Sequence, residues 1–491
     1  MSITINYRPD QWSPVYSPLP YHLDSTNKNE DGFTYYVEVY SGHTFASAVR
    51  IAEMDIPPAP VNGNGYFDVR KLVDSYTDFN VPTGTDIFNT SPTQFIPAYV
   101  RCGEKTPKWR FTANFEDSPY VAFSSTEIQN FQVGDQVIIT QDLNYPAALQ
   151  PYEGLHTVVA IIDQTKIAID VPYVGVNNSV GGYISHANGK AITLSGLTND
   201  AFWGYAATFR RDEMTSYDYA DWISVGTSNQ SKWLSNVPDF HQVGRNDYIW
   251  LTTIQSTSDE AASLLITTSG SNDTQLGLYT IHNPFSGGSK QMFQVGVGVP
   301  QLLANSASTI DLFGGLPMFT SDVKKYSVTI IDSSANYLVR KNFTINDEYA
   351  CSRFGNKTLL FRDLKGSLMT FNFPYKSKET KNYQRKLYNK VNFGFSDSSP
   401  FYETPTDGGQ TQYTIDERTE FEVYTDFLTE EQAAYFANEL LPSPQVYEMQ
   451  SDGTKRPVVI NNGSYEVKKR RNGLIQYKLL YTYALTDYLL T

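Results

Sequence analysis

Residues 326–345 read YSVTIIDSSANYLVRKNFTI, and this stretch decides the fold class. Tyr326, Val328 and Ile330 alternate with polar side chains, which is the two-residue period of a strand with one buried face. The cluster DSSAN at 332–336 has the composition of a turn, and the strand pattern resumes at Tyr337. The sequence therefore predicts an antiparallel β-hairpin.

The same strand period recurs near both ends of the chain, at residues 33–39 and 475–483. Helix signals are few. Thr429, followed by two glutamates and a glutamine, fits a capping box that opens a short helix before Pro442. A second short helix is predicted at 69–76, where the apolar residues share one face.

The length of the chain predicts several domains, because 491 residues exceed what one hydrophobic core usually supports. The strand FQVGDQVIIT at 131–140 begins a group of short β patterns that ends in a glycine- and asparagine-rich run, as in a small barrel. We predict a mainly β, multidomain chain of antiparallel β-sandwiches. Its predicted parts are a sandwich at 1–123 and 193–254, an inserted small β-barrel at 124–192, a second sandwich at 255–394, and a C-terminal strand–helix–strand oligomerisation module at 395–491.

Composition narrows the classes of partner. The chain has 38 Lys+Arg against 52 Asp+Glu, a formal net charge of −14, which argues against a surface built to neutralise nucleic-acid phosphates. It also has 35 Tyr, 28 Phe and 6 Trp. Tyrosine suits half-buried strands and protein interfaces, because its ring packs while its hydroxyl stays hydrated or hydrogen-bonded. The acidic net charge and the high tyrosine content together favour proteins as the partners of this chain.

The two cysteines, Cys102 and Cys351, lie in separate segments and indicate neither a disulfide framework nor a metal knuckle. The first residues show no basic stretch followed by an apolar one, and no window approaches a membrane-spanning length. We therefore expect a protein made in the cytoplasm without a membrane-spanning segment.

Sequence motifs for catalysis are weak. The six histidines are far apart, with none at a metal-binding spacing, and the glycine pairs lack a phosphate-binding frame. The densest carboxylate group is Asp212, Glu213, Asp218 and Asp221. Two of these would suit acid–base cleavage of a glycosidic bond, but a solvated loop paired with nearby arginines is the simpler interpretation. We predict no catalytic, cofactor-binding or metal-binding residues, no cofactor, and no enzymatic activity.

Two basic runs stand out against the acidic background. They comprise Lys376, Lys378, Lys381, Arg385, Lys386 and Lys390 in the first, and Lys468, Lys469, Arg470 and Arg471 in the second. Such runs would contact an acidic face of a partner subunit, DNA in a channel, or only solvent along a hairpin edge, where lysine discourages unwanted strand pairing. The aromatic segments 205–219 and 233–250 are open to two interpretations, a sugar-stacking platform or core plus interface.

Several short motifs together resemble a known group of proteins. They are the PPAP at 57–60, the GYFDV at 65–69, the LLFRDLKG at 359–366, the MTFNF at 369–373, the FLTEE at 427–431, the LLPSPQVY at 440–447 and the PVVI at 457–460. In this order they resemble structural virion proteins, of the tail or ring type, from tailed bacteriophages that infect Bacteroidetes, including crAss-like phages.

The resemblance implies a ring-forming tail or portal-proximal connector protein that acts through protein–protein assembly. Its partners would be further copies of itself in a cyclic homo-oligomer and other tail, portal or ring proteins, with DNA passing transiently through the lumen. It would reside at the tail or portal vertex of the virion after synthesis in the host bacterial cytoplasm. The alternative is a receptor- or glycan-binding tail-fibre or baseplate protein, and a glycosidase using residues 212–221 ranks third.

Overall fold

A computed structural model describes most of the chain. The described residues are 3–29, 32–42, 47–77, 81–82, 84–90, 94–125, 128–141, 152–174, 182–188, 193–207, 233–255, 261–285, 291–306, 309–312, 317–351, 355–390, 393–396, 399–403, 409–450, 453–461, 475–485 and 487–489. Among the described residues, strands hold 56% and helices 8%, which confirms the predicted mainly β fold class. None of the helices in these ranges is long and apolar enough to cross a membrane.

The secondary structure is a long series of short strands. Up to residue 207 the strands are β1 Thr4–Tyr7, β2 Trp12–Pro14, β3 Pro20–Asp24, β4 Thr34–Ser41, β5 Val49–Ile56, β6 Gly65–Asp68, β7 Phe88–Thr90, β8 Phe95–Thr106, β9 Lys108–Phe111, β10 Ala113–Asp117, β11 Tyr120–Ser124, β12 Ile128–Gln129, β13 Gln136–Gln141, β14 Gly154–Asp163, β15 Lys166–Pro172, β16 Gly182–His186 and β17 Thr193–Tyr205. Beyond it they are β18 His241–Val243, β19 Trp250–Gln255, β20 Ser263–Ser269, β21 Gln275–His282, β22 Gln291–Gly296, β23 Thr309–Asp311, β24 Lys325–Ile331, β25 Tyr337–Ile345, β26 Lys357–Arg362, β27 Leu368–Phe373, β28 Lys378–Lys390, β29 Phe393–Ser396, β30 Ser399–Glu403, β31 Gly409–Tyr424, β32 Val446–Met449, β33 Lys455–Ile460, β34 Lys478–Tyr483 and β35 Asp487–Leu489.

Helices are short. They are α1 Arg70–Val73, α2 Val299–Ala304 and α3 Glu430–Tyr435, with 3₁₀ turns at Asp74–Tyr76 and Asp347–Cys351 and a π-helical turn at Phe436–Leu440. The chain divides into two compact units, one formed by Met1–Phe79 with Pro92–Asp221 and the other by Asn80–Ser91 with Trp222–Thr491. The four sequence-based domain ranges divide the chain more finely and stay predictions.

The first unit contains a β-sandwich. The sheet β12-β17-β8-β4-β5, with β2 pairing in parallel to β17, packs against the three-stranded sheet β1-β3-β6. Tyr21 and Leu23 from the small sheet meet Val37 and Val39 from β4 in the core. Each fully buried aliphatic side chain of this kind contributes about 1.5–3 kcal/mol to the free energy of unfolding.

The first unit also holds the segment predicted to be a small barrel. Strands β13–β16 of this segment, 124–192, belong to a seven-stranded sheet of order β10-β11-β15-β14-β13-β16-β9, whose strands β9, β10 and β11 begin before the predicted segment. Its core includes Trp109, Phe123 and Val137. Strands β9 and β10, at the two ends of this order, follow each other in the chain with only Thr112 between them. No closed barrel is detected among the described strands, so the predicted small barrel at 124–192 is not confirmed.

The second unit is a larger sandwich. One sheet has the order β18-β25-β24-β20-β21-β23, and the other has eleven strands in the order β28-β31-β34-β33-β32-β26-β27-β19-β22-β7, with β35 pairing to β31. Side chains such as Ile266, Val328, Phe293 and Phe371 fill the space between the two sheets. Strands β29 and β30 form a separate two-stranded sheet.

Local sequence signals hold at the positions where they are strongest. The hairpin predicted at 326–345 forms as β24 and β25, and the Asp332 carboxylate accepts hydrogen bonds from the backbone N–H groups of Ser334 and Asn336 in its turn. The capping box also forms. The Thr429 hydroxyl accepts a hydrogen bond from the Gln432 backbone N–H at 3.3 Å, and the Gln432 side-chain oxygen accepts one from the Thr429 backbone N–H at 3.2 Å. Both predictions are confirmed.

Candidate interaction surface

The first basic run lies on an unusually exposed β-ribbon. Strand β28 reads KETKNYQRKLYNK, and it pairs in antiparallel register with β31 along its full length. Its sequence does not alternate between apolar and polar residues, as a strand with one buried face would. We call the ribbon made of β28 and residues 409–419 of β31 the arm.

Both faces of strand β28 meet solvent within the arm. Residues 381–389 are all exposed, although successive residues of a strand point to opposite faces. Strand β28 is the edge of the eleven-stranded sheet, and residues 409–414 of β31 pair with no other strand within the described ranges. At about 3.3 Å per residue, the 13 residues of β28 span about 40 Å.

Large apolar side chains are concentrated on the arm. Tyr383, Leu387, Tyr388 and Tyr413 are 45%, 49%, 46% and 52% exposed. The register shifts between Lys386 and Leu387, so that Tyr413 is the extra residue of a β-bulge, and its ring centroid lies 6.1 Å from that of Tyr388. Exposed aromatic and aliphatic groups gathered on one element are typical of a protein-binding surface.

The charges of the arm are divided between its two strands. The basic residues flagged from the sequence lie on or just before β28, whereas β31 carries acidic residues such as Asp416 and Glu417. Lys381 donates to Glu417 at 2.6 Å, and this contact raises the pKa of the lysine. Arg385 lies over the ring of Tyr383 at 5.7 Å. The lysines of β28 lie at a sheet edge, as expected of lysines that discourage unwanted strand pairing. The contacts of this basic run with a partner subunit or with DNA stay predictions.

Other residues singled out from the sequence do not converge in the described structure. The carboxylates Asp212, Glu213, Asp218 and Asp221 and the basic run 468–471 lie outside the described residues. Within the described ranges, no three His, Cys, Asp or Glu side chains cluster in a way that would hold a metal ion. Cys102 is fully buried, and burial raises the pKa of its thiol to about 12.

The histidines have separate local partners. His22 stacks on Tyr66, His186 lies 3.3 Å from the Asp135 carboxylate, and His156 lies 3.5 Å from that of Asp170. The ring of His241 is buried and contacts the carbonyl of Thr370 at 3.0 Å; burial lowers its pKa to about 4. His43 lies outside the described residues, and His282 is exposed on β21.

The tryptophans of the segment 233–250 belong to the core, whereas Phe240 is 52% exposed. Trp233 and Trp250 are 4% and 0% exposed, so neither ring offers a flat platform to a sugar. Of the segment 205–219, only 205–207 are described, and Tyr205 is buried as well. Trp233, Trp250 and Tyr205 therefore fit the core interpretation.

A buried pair of carboxyl groups escaped the sequence analysis. Asp363, 1% exposed, accepts from the Ser235 hydroxyl at 2.6 Å and from the Ser367 N–H at 2.8 Å. Glu439, 2% exposed, accepts from the Leu364 N–H at 2.8 Å. Burial, together with the nearby charge of Glu439, raises the pKa of Asp363 to about 7. The two groups join the β26–β27 turn to the π-helical turn, which gives them a structural role.

Another buried carboxyl group, that of Asp247, lines a polar cavity of about 470 Å³ in the second unit, together with Arg245 and Tyr248. Asp247 accepts through one oxygen from the N–H of Gly244 at 2.7 Å and from the amide of Asn372 at 2.6 Å, and burial raises its pKa to about 6. Arg245 is ion-paired with Asp347 at 2.6 Å. The charged groups of this cavity are thus engaged in holding the surrounding loops.

Comparison with known proteins adds little. No protein-family model matches the chain, and no curated protein matches it. Among solved structures, a chain from the virion of a native gene transfer agent (GTA) particle matches with 16% sequence identity and a TM-score of 0.15, over 27% of this chain and 95% of that chain. A TM-score this low does not establish a shared fold.

Proposed function

We propose that this protein is a structural subunit of a bacteriophage-like particle and that it works by assembly with other proteins. The arm is the observation that carries the proposal. It holds four large apolar side chains about half exposed, on a ribbon whose strand β28 meets solvent on both faces. Residues 409–414 of β31 pair only with β28 among the described strands. Because such a two-stranded part of a ribbon is marginally stable in water, it gains most when a partner covers it.

The motifs that resemble phage virion proteins support the same function. The stretches 359–366 and 369–373 form β26, β27 and their turn at the centre of the eleven-stranded sheet. The stretch 427–431 begins α3, whose continuation packs on that sheet through Phe436. These three resembling stretches therefore build part of the framework that carries the arm.

In its finer form, the proposal is a ring-forming tail or portal-proximal connector at the tail or portal vertex. The ring would consist of identical copies and would contact other tail, portal or ring proteins. A net charge of −14 suits a lumen through which DNA slides without binding. In this role the protein needs no cofactor and performs no catalysis.

Peptide mass spectrometry of density-purified particles tests the proposal, using a culture in which the gene is expressed from its own genome. We expect the chain to band with the particles in a fixed ratio to the major capsid protein and to resist a high-salt wash. A chain found only in the soluble fraction would contradict the proposal. Retention of the purified chain on a glycan array as a monomer would instead favour the receptor-binding alternative, and shortened polysaccharide after incubation would favour the glycosidase.

A further inference from the structure

We propose that the arm binds a second copy of this chain, with Tyr383, Leu387, Tyr388 and Tyr413 inside the contact. This inference rests on the proposed function, since a subunit that builds a particle needs a defined contact. It adds which residues form that contact and what covers them.

The conformation of the arm calls for a covering partner. Ordering two extended strands costs conformational entropy, and the usual compensation is burial of one face against a core. Residues 381–389 have no such burial, and their sequence is rich in tyrosine and long side chains. A surface of the same extended shape on another molecule would supply the missing burial.

Charge favours a second copy as that molecule. Between residues 376 and 390 there are six basic residues and one acidic residue, Glu379, while the whole chain has a net charge of −14. The rest of the chain is therefore more acidic than the total, and another copy offers an acidic surface to a basic strand.

The same charges count against DNA as the occupant. Strand β31 places Asp416 and Glu417 directly beside β28 in the arm, and Glu420 beside β28 just beyond it. Lys381 is already paired with Glu417. Phosphates approaching the ribbon would meet these carboxylates as well as the lysines, so the arm lacks the uniform basic surface that nucleic acid requires.

The arm is also large enough. A ribbon about 40 Å long and about 10 Å wide presents about 400 Å² on each face, given strands about 4.8 Å apart. Both faces together reach the roughly 800 Å² that each partner buries in a standard protein interface.

A pair of matched variants tests the inference by sedimentation velocity over a concentration series of the full chain. The first, Leu387→Ser with Tyr388→Ser, removes apolar groups from the arm. The second, Ile310→Ser with Leu312→Ser, removes two side chains that are 62% and 56% exposed on and beside β23. We expect the wild type and the β23 variant to self-associate alike, and the arm variant to need at least about tenfold higher concentration.

A charge variant keeps the test decisive if the double serine variant fails to fold, which circular dichroism would reveal. Arg385→Glu, compared with Lys71→Glu on α1, should weaken self-association while leaving the melting temperature near that of the wild type. A monomeric wild type, equal association of the arm and control variants, or arm-dependent binding of duplex DNA in fluorescence anisotropy would each overturn the inference.

The outcome separates this inference from the proposed function. If the chain is present in particles but the purified chain does not self-associate, the inference fails and the function stands. If the chain self-associates through the arm but is absent from particles, the function fails and the arm contact stands.

Discussion

Replacing Asp363 by asparagine should flatten the dependence of stability on pH. The carboxyl of Asp363 is buried near Glu439, and its pKa is raised from 3.8 to about 7. The folded protein therefore binds more protons at this site than the unfolded chain between about pH 4 and pH 7. Stability contributed by the protonated group is full below pH 4, and it is lost as the pH rises through 7.

The size of the effect follows from the same values. One pKa unit corresponds to about 1.4 kcal/mol, so the interval from 3.8 to about 7 sets an upper value of about 4 kcal/mol. Because the negative charge is shared with Glu439, we expect on the order of 2–4 kcal/mol of unfolding free energy to be lost by the wild type over this range. Asparagine keeps an acceptor for the Ser367 N–H, 2.8 Å away, and carries no charge at any pH.

Urea unfolding of wild type and Asp363→Asn at several pH values between 4 and 8 measures the difference directly. Comparing the two proteins is necessary because other groups titrate in this pH range. Burial lowers the pKa of His241 to about 4, so the contribution of His241 to the unfolding free energy rises with pH as the imidazole of the unfolded chain loses its proton. We expect the variant to gain stability relative to the wild type as the pH rises from 4 to 8. Parallel curves for the two proteins would refute the reasoning.

Two further changes probe the framework behind the arm. Phe436→Ala should lower the unfolding free energy by about 3–5 kcal/mol, because the buried ring stacks on the ring of Tyr477 with the centroids 5.3 Å apart. Val459→Ala, at a residue that is 51% exposed, serves as the control. An equal loss of unfolding free energy in urea titrations of both variants would contradict the placing of Phe436 in the core. Thr429→Ala should cost about 1 kcal/mol through loss of the cap on α3, whereas Thr429→Ser should restore most of it, and a thermal melt in which serine and alanine behave alike would argue against the cap.

Parts of the fold that depend on neighbours in the sequence were predictable. The turn at 332–336 has its side-chain acceptor at Asp332, and the helix cap joins residues only three apart. Strand alternation was less informative where a strand is covered on both sides. In β4, Tyr35 to Val39 are all buried, although the alternation there predicts one outward face.

The candidate surface was only partly predictable. The basic run 376–390 drew attention as a charge pattern, with a hairpin edge among its interpretations. That both faces of β28 meet solvent, and that a bulge brings Tyr413 against Tyr388, appears only once the strands are paired. The buried Asp363 and Glu439 belong to segments far apart in the chain, so no local pattern shows that they meet.

The sequence by itself determined the mainly β class, the central hairpin, the short capped helix and the exclusion of a generally basic surface, because periodicity, turn chemistry, capping and composition act within a few residues or over the whole chain. Only the tertiary structure decided which distant strands meet. It places β7, Phe88–Thr90, beside β22 and ends the large sheet at β28. The reason is physical: a strand's partner is chosen by ladder hydrogen bonds and shared burial with residues far along the chain, and no local pattern records which partner that is.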